Sequence, residues 1–214
     1  MIILFDLDGT LIDSTEAIVG TFHYSFDVHN TAHPSDEAIM ALIGYPLDIM
    51  YTELGVAEEK VWDYVATYKE EYRKVSTLKT ELLACAIEAV QKASLIATLG
   101  IVTTKTGSYS EVLMEHFGLM HHFKVLIGRE HVENPKPHAE PILKALEALK
   151  HETGEVWMIG DTKLDLISAK NANVNSIGVL SGYDNEESLR KHTDIIFKDA
   201  LEAIDFLTKR KNNN

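Results

Sequence analysis

Apolar residues along this chain come in short blocks separated by stretches long enough to be helices. The blocks are Ile2–Phe5 and residues 99–103, 124–127, 156–159, 176–180 and 195–197. Brief continuous apolar runs bounded by polar residues read as buried strands. Between the later blocks lie segments of helix length at 108–117, 137–150 and 163–172. Strands alternating with helices predict βαβ units and an α/β fold, a mostly parallel sheet covered by helices on both faces. In such sheets the site lies beyond the C-terminal ends of the strands.

The alternation breaks once. After Phe5 no convincing strand is expected for some 90 residues, and the segment 15–80 reads as helices only. Val61, Val65, Tyr68 and Tyr72 fall on one helical face. Pro34-Ser35-Asp36-Glu37 opens another helix with a capping pattern, while Gly44-Tyr45-Pro46 and Gly55 punctuate two more. An all-helical insert at this point would sit over the end of the first strand as a lid. The expected division is therefore a core of residues 1–14 and 81–214 and a helical cap of residues 15–80.

The chain has 214 residues, 45% of them hydrophobic, and a net charge of −13. That charge argues against nucleic acid or an anionic membrane surface as partner. No apolar run reaches the length of a membrane span and no basic leader precedes the first strand, so a cytoplasmic location is expected. The lone Cys85, within the apolar run 82–87, is expected to be a buried core thiol in a helix. The basic residues of the tail Lys209-Arg210-Lys211-Asn212-Asn213-Asn214 are expected to complement a helix C-terminus before the chain frays.

Candidate chemistry gathers at the strand ends. Asp6 and Asp8 follow the first block two residues apart, so both can lean into one site, and Gly9 permits a turn. Two carboxylates meeting there repel unless a cation lies between them, and hard oxygen donors favour Mg²⁺. Thr103 and Thr104 end the second block, where a hydroxyl and free amides could hold a phosphate oxygen. Lys136 stands between Pro135 and Pro137, which would fix it in place, with Pro137 suited to the first turn of the next helix. Gly160, Asp161 and Asp165 follow the fourth block, Asp165 one helical turn beyond Asp161.

These four groups, in this order, resemble the four motifs of the haloacid dehalogenase superfamily: Asp6-Leu7-Asp8-Gly9-Thr10, Thr103, Lys136-Pro137 and Gly160-Asp161-Thr162-Lys163-Leu164-Asp165. More narrowly the chain is similar to the phosphoglycolate phosphatase and β-phosphoglucomutase group, with a Rossmann-like core and a helical cap between the first two motifs. The resemblance implies Asp6 as a nucleophile that forms an aspartyl-phosphate. It implies Asp8 as the acid and base, with Mg²⁺ held by Asp6, the Asp8 carbonyl and Asp161. Thr103, Thr104 and Lys136 would bind the phosphoryl group, with Thr10, Gly160 and Asp165 in support. The chain departs from the family pattern at Thr80-Glu81, Thr104, Ala139 and Asn173, none of which removes a catalytic group.

No Lys or Arg occurs before Lys60. The family's phosphonate-cleaving members use an early cap lysine and its sugar-phosphate mutases an Arg near 44–47, and this chain has neither. The expectation is a phosphatase for a small phosphorylated metabolite such as phosphoglycolate, acting as a monomer or small homo-oligomer. A pyrophosphatase or mutase activity is the alternative. A non-catalytic relative that binds phosphate or a partner would have lost a motif acid, and none is lost.

Overall fold

The computed structural model describes residues 1–150 and 154–212. Its main sheet is built from β1 (Ile2–Phe5), β4 (Thr98–Val102), β5 (Phe123–Ile127), β6 (Val156–Gly160), β7 (Asn175–Val179) and β8 (Ile196–Phe197). The spatial order is β5-β4-β1-β6-β7-β8, and every neighbouring pair is parallel. Each expected strand is present, most displaced by a single residue at an end. β1 is buried along its whole length, as an apolar strand covered on both faces must be.

Helices α5 (Ala86–Ile96), α6 (Gly107–His116), α7 (Glu140–Ala148), α8 (Lys163–Asn171) and α10 (Ala200–Asn212) flank the sheet, with the short α9 (Glu186–Leu189) before β8. One face packs Phe5, Ile101, Ile159 and Ile177 with Ala89, Ala93, Ile204 and Leu207 from α5 and α10. The other packs Leu4, Val102 and Met158 with Ile142 and Ala145 of α7 and Ala169 of α8. Asn173, where the family pattern carries Gly, has φ 57° just past the end of α8. A left-handed residue closes many helices there, and Asn tolerates that conformation better than most residues that carry a Cβ.

The segment 15–80 is helical as expected: α1 (Thr15–Val28), α2 (Asp36–Met40), α3 (Leu47–Glu53) and α4 (Val61–Val75), with a 3₁₀ turn at Glu58–Lys60. Val61, Val65, Tyr68 and Tyr72 are all buried and join Phe22, Phe26 and Tyr51 in a separate apolar cluster. Ser35 caps α2 by accepting from the Ala38 amide.

Three expectations need correction. β2 (Ile12–Asp13) and β3 (Glu81–Leu82) pair antiparallel where no strand was expected, forming a two-stranded ribbon at the base of the cap. Two residues per strand are too few to show a hydrophobic period. Cys85 is exposed and has φ 65°, because the chain turns there before α5 begins at Ala86. Pro137 precedes α7 rather than opening it; Pro141 occupies the first turn. In the tail, Arg210 pairs with Glu155 and the Lys211 Nζ donates to the Ile96 carbonyl, while the expected fraying concerns residues outside those described.

Candidate active site

The three adjacent strands β4, β1 and β6 end at one level, since Phe5 is in register with both Ile101 and Ile159. The residues just past those ends are Thr103, Asp6 and Asp161. Main-chain bonds extend the ladder to hold them, the Asp6 amide to Ile159 O at 2.9 Å and the Thr103 amide to Ile127 O at 2.9 Å. Asp6 and Asp161 are almost fully buried. At Gly9, φ is +82°, and a Cβ would lie 2.3 Å from the Asp161 carboxylate. A Cβ at Gly160 would lie 2.3 Å from Cγ of Asp165. Both glycines let an acid approach the backbone more closely than any side chain would allow.

Asp161 is fixed through both oxygens. Oδ1 accepts from the Thr10 hydroxyl at 2.9 Å and Oδ2 from the Tyr183 amide at 2.9 Å. Asp165 closes the first turn of α8, its Oδ2 accepting from the Thr162 amide and hydroxyl at 3.0 and 2.7 Å. Its Oδ1 takes the Lys136 ammonium. Lys136, 2% exposed, also lies 2.9 Å from Asp6 Oδ1 and donates to the Val102 carbonyl at 3.1 Å. The loop that delivers Lys136 is fastened by the Glu140 carboxylate, which accepts from the Glu133 and Asn134 amides at 2.9 and 2.8 Å. Those two bonds hold the Glu140 carboxyl down at about 2.

Burial, then repulsion from Asp165, pushes the Asp6 carboxyl up to about 7, against the pull of Lys136. Burial raises Asp161 well above the usual carboxylate range, with Asp165 and Asp6 adding to it. For Lys136 burial works against the charge, but Asp165 and Asp6 outweigh it and hold the pKa above its ordinary value. Three carboxylates beside one ammonium form an under-compensated cluster.

One oxygen each of Asp6, Asp161 and Asp165 lies within 4.8 Å of the others. Asp6 Oδ1 is buried and accepts no aligned hydrogen bond; its contact with Lys136 is an ion pair only. An orphaned buried oxygen and three hard carboxylate donors beside a single ammonium fit a divalent hard cation.

Asp8 points elsewhere. Its Oδ1 lies 3.2 Å from Lys105 Nζ and also accepts from the Ser14 hydroxyl. Asp8 lines a cavity of about 50 Å³ between sheet and cap, with Gly44, Tyr45, Thr104, Lys105 and Tyr109. The Thr104 hydroxyl donates to the Gly44 carbonyl of the cap at 2.8 Å, so it is engaged in a cap contact. The Thr103 hydroxyl accepts from the Lys105 amide at 3.2 Å. The structure thus joins Asp6, Thr10, Lys136, Asp161 and Asp165 in one network and sets Asp8 and Thr104 on the cavity wall.

Sequence reasoning missed Lys105, Ser14 and Tyr183. The rule that sites form past strand ends could have found Lys105 beyond β4 and Tyr183 beyond β7.

Residues 3–179 match the haloacid dehalogenase-like hydrolase family. The chain belongs to this family. Among curated relatives it is 31% identical over 192 residues to a pyrophosphatase PpaX from Bacillus pumilus, covering 89% of this chain and 88% of that one. To the PpaX pyrophosphatase of Halalkalibacterium halodurans it is 30% identical, covering 96% and 95%. A haloacid dehalogenase-like hydrolase from Streptococcus pneumoniae superposes with a TM-score of 0.86 at 26% identity, covering 96% of this chain and 97% of that one. A predicted phosphoglycolate phosphatase from Haemophilus somnus gives 0.87 at 21% identity, covering 96% and 97%, which speaks to fold alone. The family assignment makes the chain a haloacid dehalogenase-like hydrolase. Among the described residues no helix is long and apolar enough to cross a membrane.

Proposed function

We propose that the chain is a Mg²⁺-dependent phosphatase that hydrolyses a small phosphomonoester through an aspartyl-phosphate on Asp6. The observation that carries this reading is the separate placement of two acids two residues apart. Asp6 is buried among Asp161, Asp165 and Lys136, whereas Asp8 faces the cavity beside Lys105. In this reading the first bonds to phosphorus and the second exchanges protons with the leaving group.

An Asp6 oxygen forms the P–O bond as the ester P–O bond breaks, and Asp8 supplies the proton to the departing alcohol oxygen. Asp8 then takes a proton from water as that water's oxygen bonds to phosphorus and the Asp6–phosphorus bond breaks, releasing phosphate. Thr103 and Lys136 hold the phosphoryl oxygens, with Thr104 in the wall beside them. Asp6, Asp161 and the Asp8 carbonyl would hold the Mg²⁺, with Thr10, Gly160 and Asp165 positioning those ligands. When bound, the cation offsets charge between the Asp6 carboxylate and an anionic substrate. The helical segment 15–80 closes over the site as a cap.

A cavity of about 50 Å³ beside Asp8 suits a compact leaving group such as glycolate. Pyrophosphate is the second reading, favoured by the relatives' names. The stretch Gly44-Tyr45-Pro46-Leu47 presents no Arg to the cavity, which disfavours a sugar-phosphate mutase. Turnover of phosphoglycolate, pyrophosphate and hexose phosphates with and without Mg²⁺ tests the reading. Phosphoglycolate should lead, and full activity in excess chelator would refute the metal site.

A further inference from the structure

Lys105 takes no part in the acid cluster, yet it is nearly buried and joins the sheet to the cap. Its main chain is pinned at both ends. The amide donates to the Thr103 hydroxyl at 3.2 Å, and the carbonyl accepts from the Arg129 amide at 3.0 Å. Its Nζ lies 3.2 Å from Asp8 Oδ1, donates to the Tyr72 hydroxyl at 2.8 Å and sits 4.6 Å from the centre of the Tyr72 ring. Tyr72 is 1% exposed and stacks on Tyr68 within the cap's apolar cluster, ring centres 5.4 Å apart.

Resting on the phosphatase reading above, we propose that Lys105 is a positioning residue that holds Asp8 in its proton-exchanging orientation and couples that orientation to cap closure through Tyr72. Lys105 and Ser14 both contact Oδ1, while Oδ2 accepts no hydrogen bond from the described residues. The carboxylate is therefore gripped by one oxygen and presents the other for proton exchange. A general acid must reach its target to within about 3 Å, so rotation of an unheld carboxylate forfeits the transfer. Ser14 immediately precedes α1 on the core side and Tyr72 lies on α4, so the link to the cap runs through Tyr72. Displacing the cap removes the Tyr72 hydroxyl, and Lys105 loses one of the two partners that fix its ammonium.

The test uses kcat/KM, which reports the first bond cleavage, for two esters without a second charge. Ethyl phosphate expels an alkoxide that needs the Asp8 proton; 2,4-dinitrophenyl phosphate expels a phenolate that does not. Lys105→Met should lower kcat/KM for the ethyl ester by about tenfold or more while the dinitrophenyl ester stays within about twofold. That is a fraction of the ~10²–10⁴ attributable to the proton transfer itself. Tyr72→Phe should show the same asymmetry more weakly, and Lys105→Arg should restore part of the loss. Should Lys105→Met fail to fold by circular dichroism, Tyr72→Phe, which keeps the buried ring, carries the test. Equal losses for both esters would assign Lys105 a packing role and overturn the proposal. Loss confined to phosphoglycolate, sparing ethyl phosphate, would overturn it in favour of a Lys105 that binds the substrate's second anion. Wild-type protein that turns over neither ester would remove the phosphatase reading, and the proposal with it.

Discussion

Replacing Lys136 by Met should separate the electrostatics of the site from its packing. Lys136 is 2% exposed, and its ammonium lies 2.9 Å from Asp6 and is bonded to Asp165 and to the Val102 carbonyl. Removing one partner of a buried ion pair costs about 3–5 kcal/mol. Methionine keeps most of the side-chain volume, so little of that loss would come from a cavity. At roughly 2–4 °C per kcal/mol for a chain of this size, the metal-free variant should melt roughly 6–20 °C below wild type at pH 8. At pH 6 the deficit should shrink. The Asp6 carboxyl already stands at about 7 through burial and Asp165, with Lys136 pulling it down; without Lys136 it rises further and takes up a proton. A carboxyl whose native pKa exceeds its unfolded value contributes stability that is lost as pH rises through the native value, so the penalty falls at pH 8 and not pH 6.

Excess Mg²⁺ should recover part of the loss at pH 8, because a more negative cluster binds a cation more tightly and a ligand of the native state stabilises it. Thermal melts by circular dichroism at the two pH values, with Mg²⁺ and with chelator, read all four corners. Turnover should fall about 10²–10³-fold in every condition, since the proposed mechanism assigns that charge to the phosphoryl oxygens. A deficit independent of both pH and Mg²⁺ would refute the argument and make Lys136 a packing residue.

Asp6→Asn should abolish any phosphoryl adduct seen by intact mass after acid quench, and an adduct on Ser, Thr or His in wild type would sink the mechanism. Asp8→Asn should slow each proton-transfer step by about 10²–10⁴-fold while leaving Asp6 the site of the adduct. Gly160→Ala sets a Cβ 2.3 Å from Cγ of Asp165 and should destabilise by about 1–3 kcal/mol, with weaker Mg²⁺ binding by calorimetry. Substitutions at Tyr45 or Leu47, both on the cavity wall, should shift relative kcat/KM among phosphomonoesters by about 1–3 kcal/mol. One common factor for all substrates would make the cap a gate without selectivity.

What could be read from the sequence follows from the physics of each signal. A strand covered on both faces must be apolar throughout, so β1, β4 and β6 announce themselves, and the topology of a parallel sheet then fixes where Asp6, Thr103 and Asp161 go. Nothing about β2 and β3 is periodic, because a two-residue strand is held by its partner across some 70 residues of cap. The run 82–87 looks helical by composition, yet the backbone turns at Cys85, a departure no apolar pattern encodes. Lys105 is the instructive miss. Asp6 and Asp8 carry their meaning in local spacing, two residues apart at a strand end. Lys105 acquires its role only where chain segments far apart meet, Asp8 from β1's turn on one side and Tyr72 from the cap on the other. The chemistry of the core can therefore be written into short motifs, whereas the coupling of cap to chemistry is a property of which surfaces touch. Residues that tune closure and specificity should accordingly be sought among contacts between α4 and the segment after β4, where Arg73 donates to Tyr109 at 2.8 Å beside the Lys105–Tyr72 link.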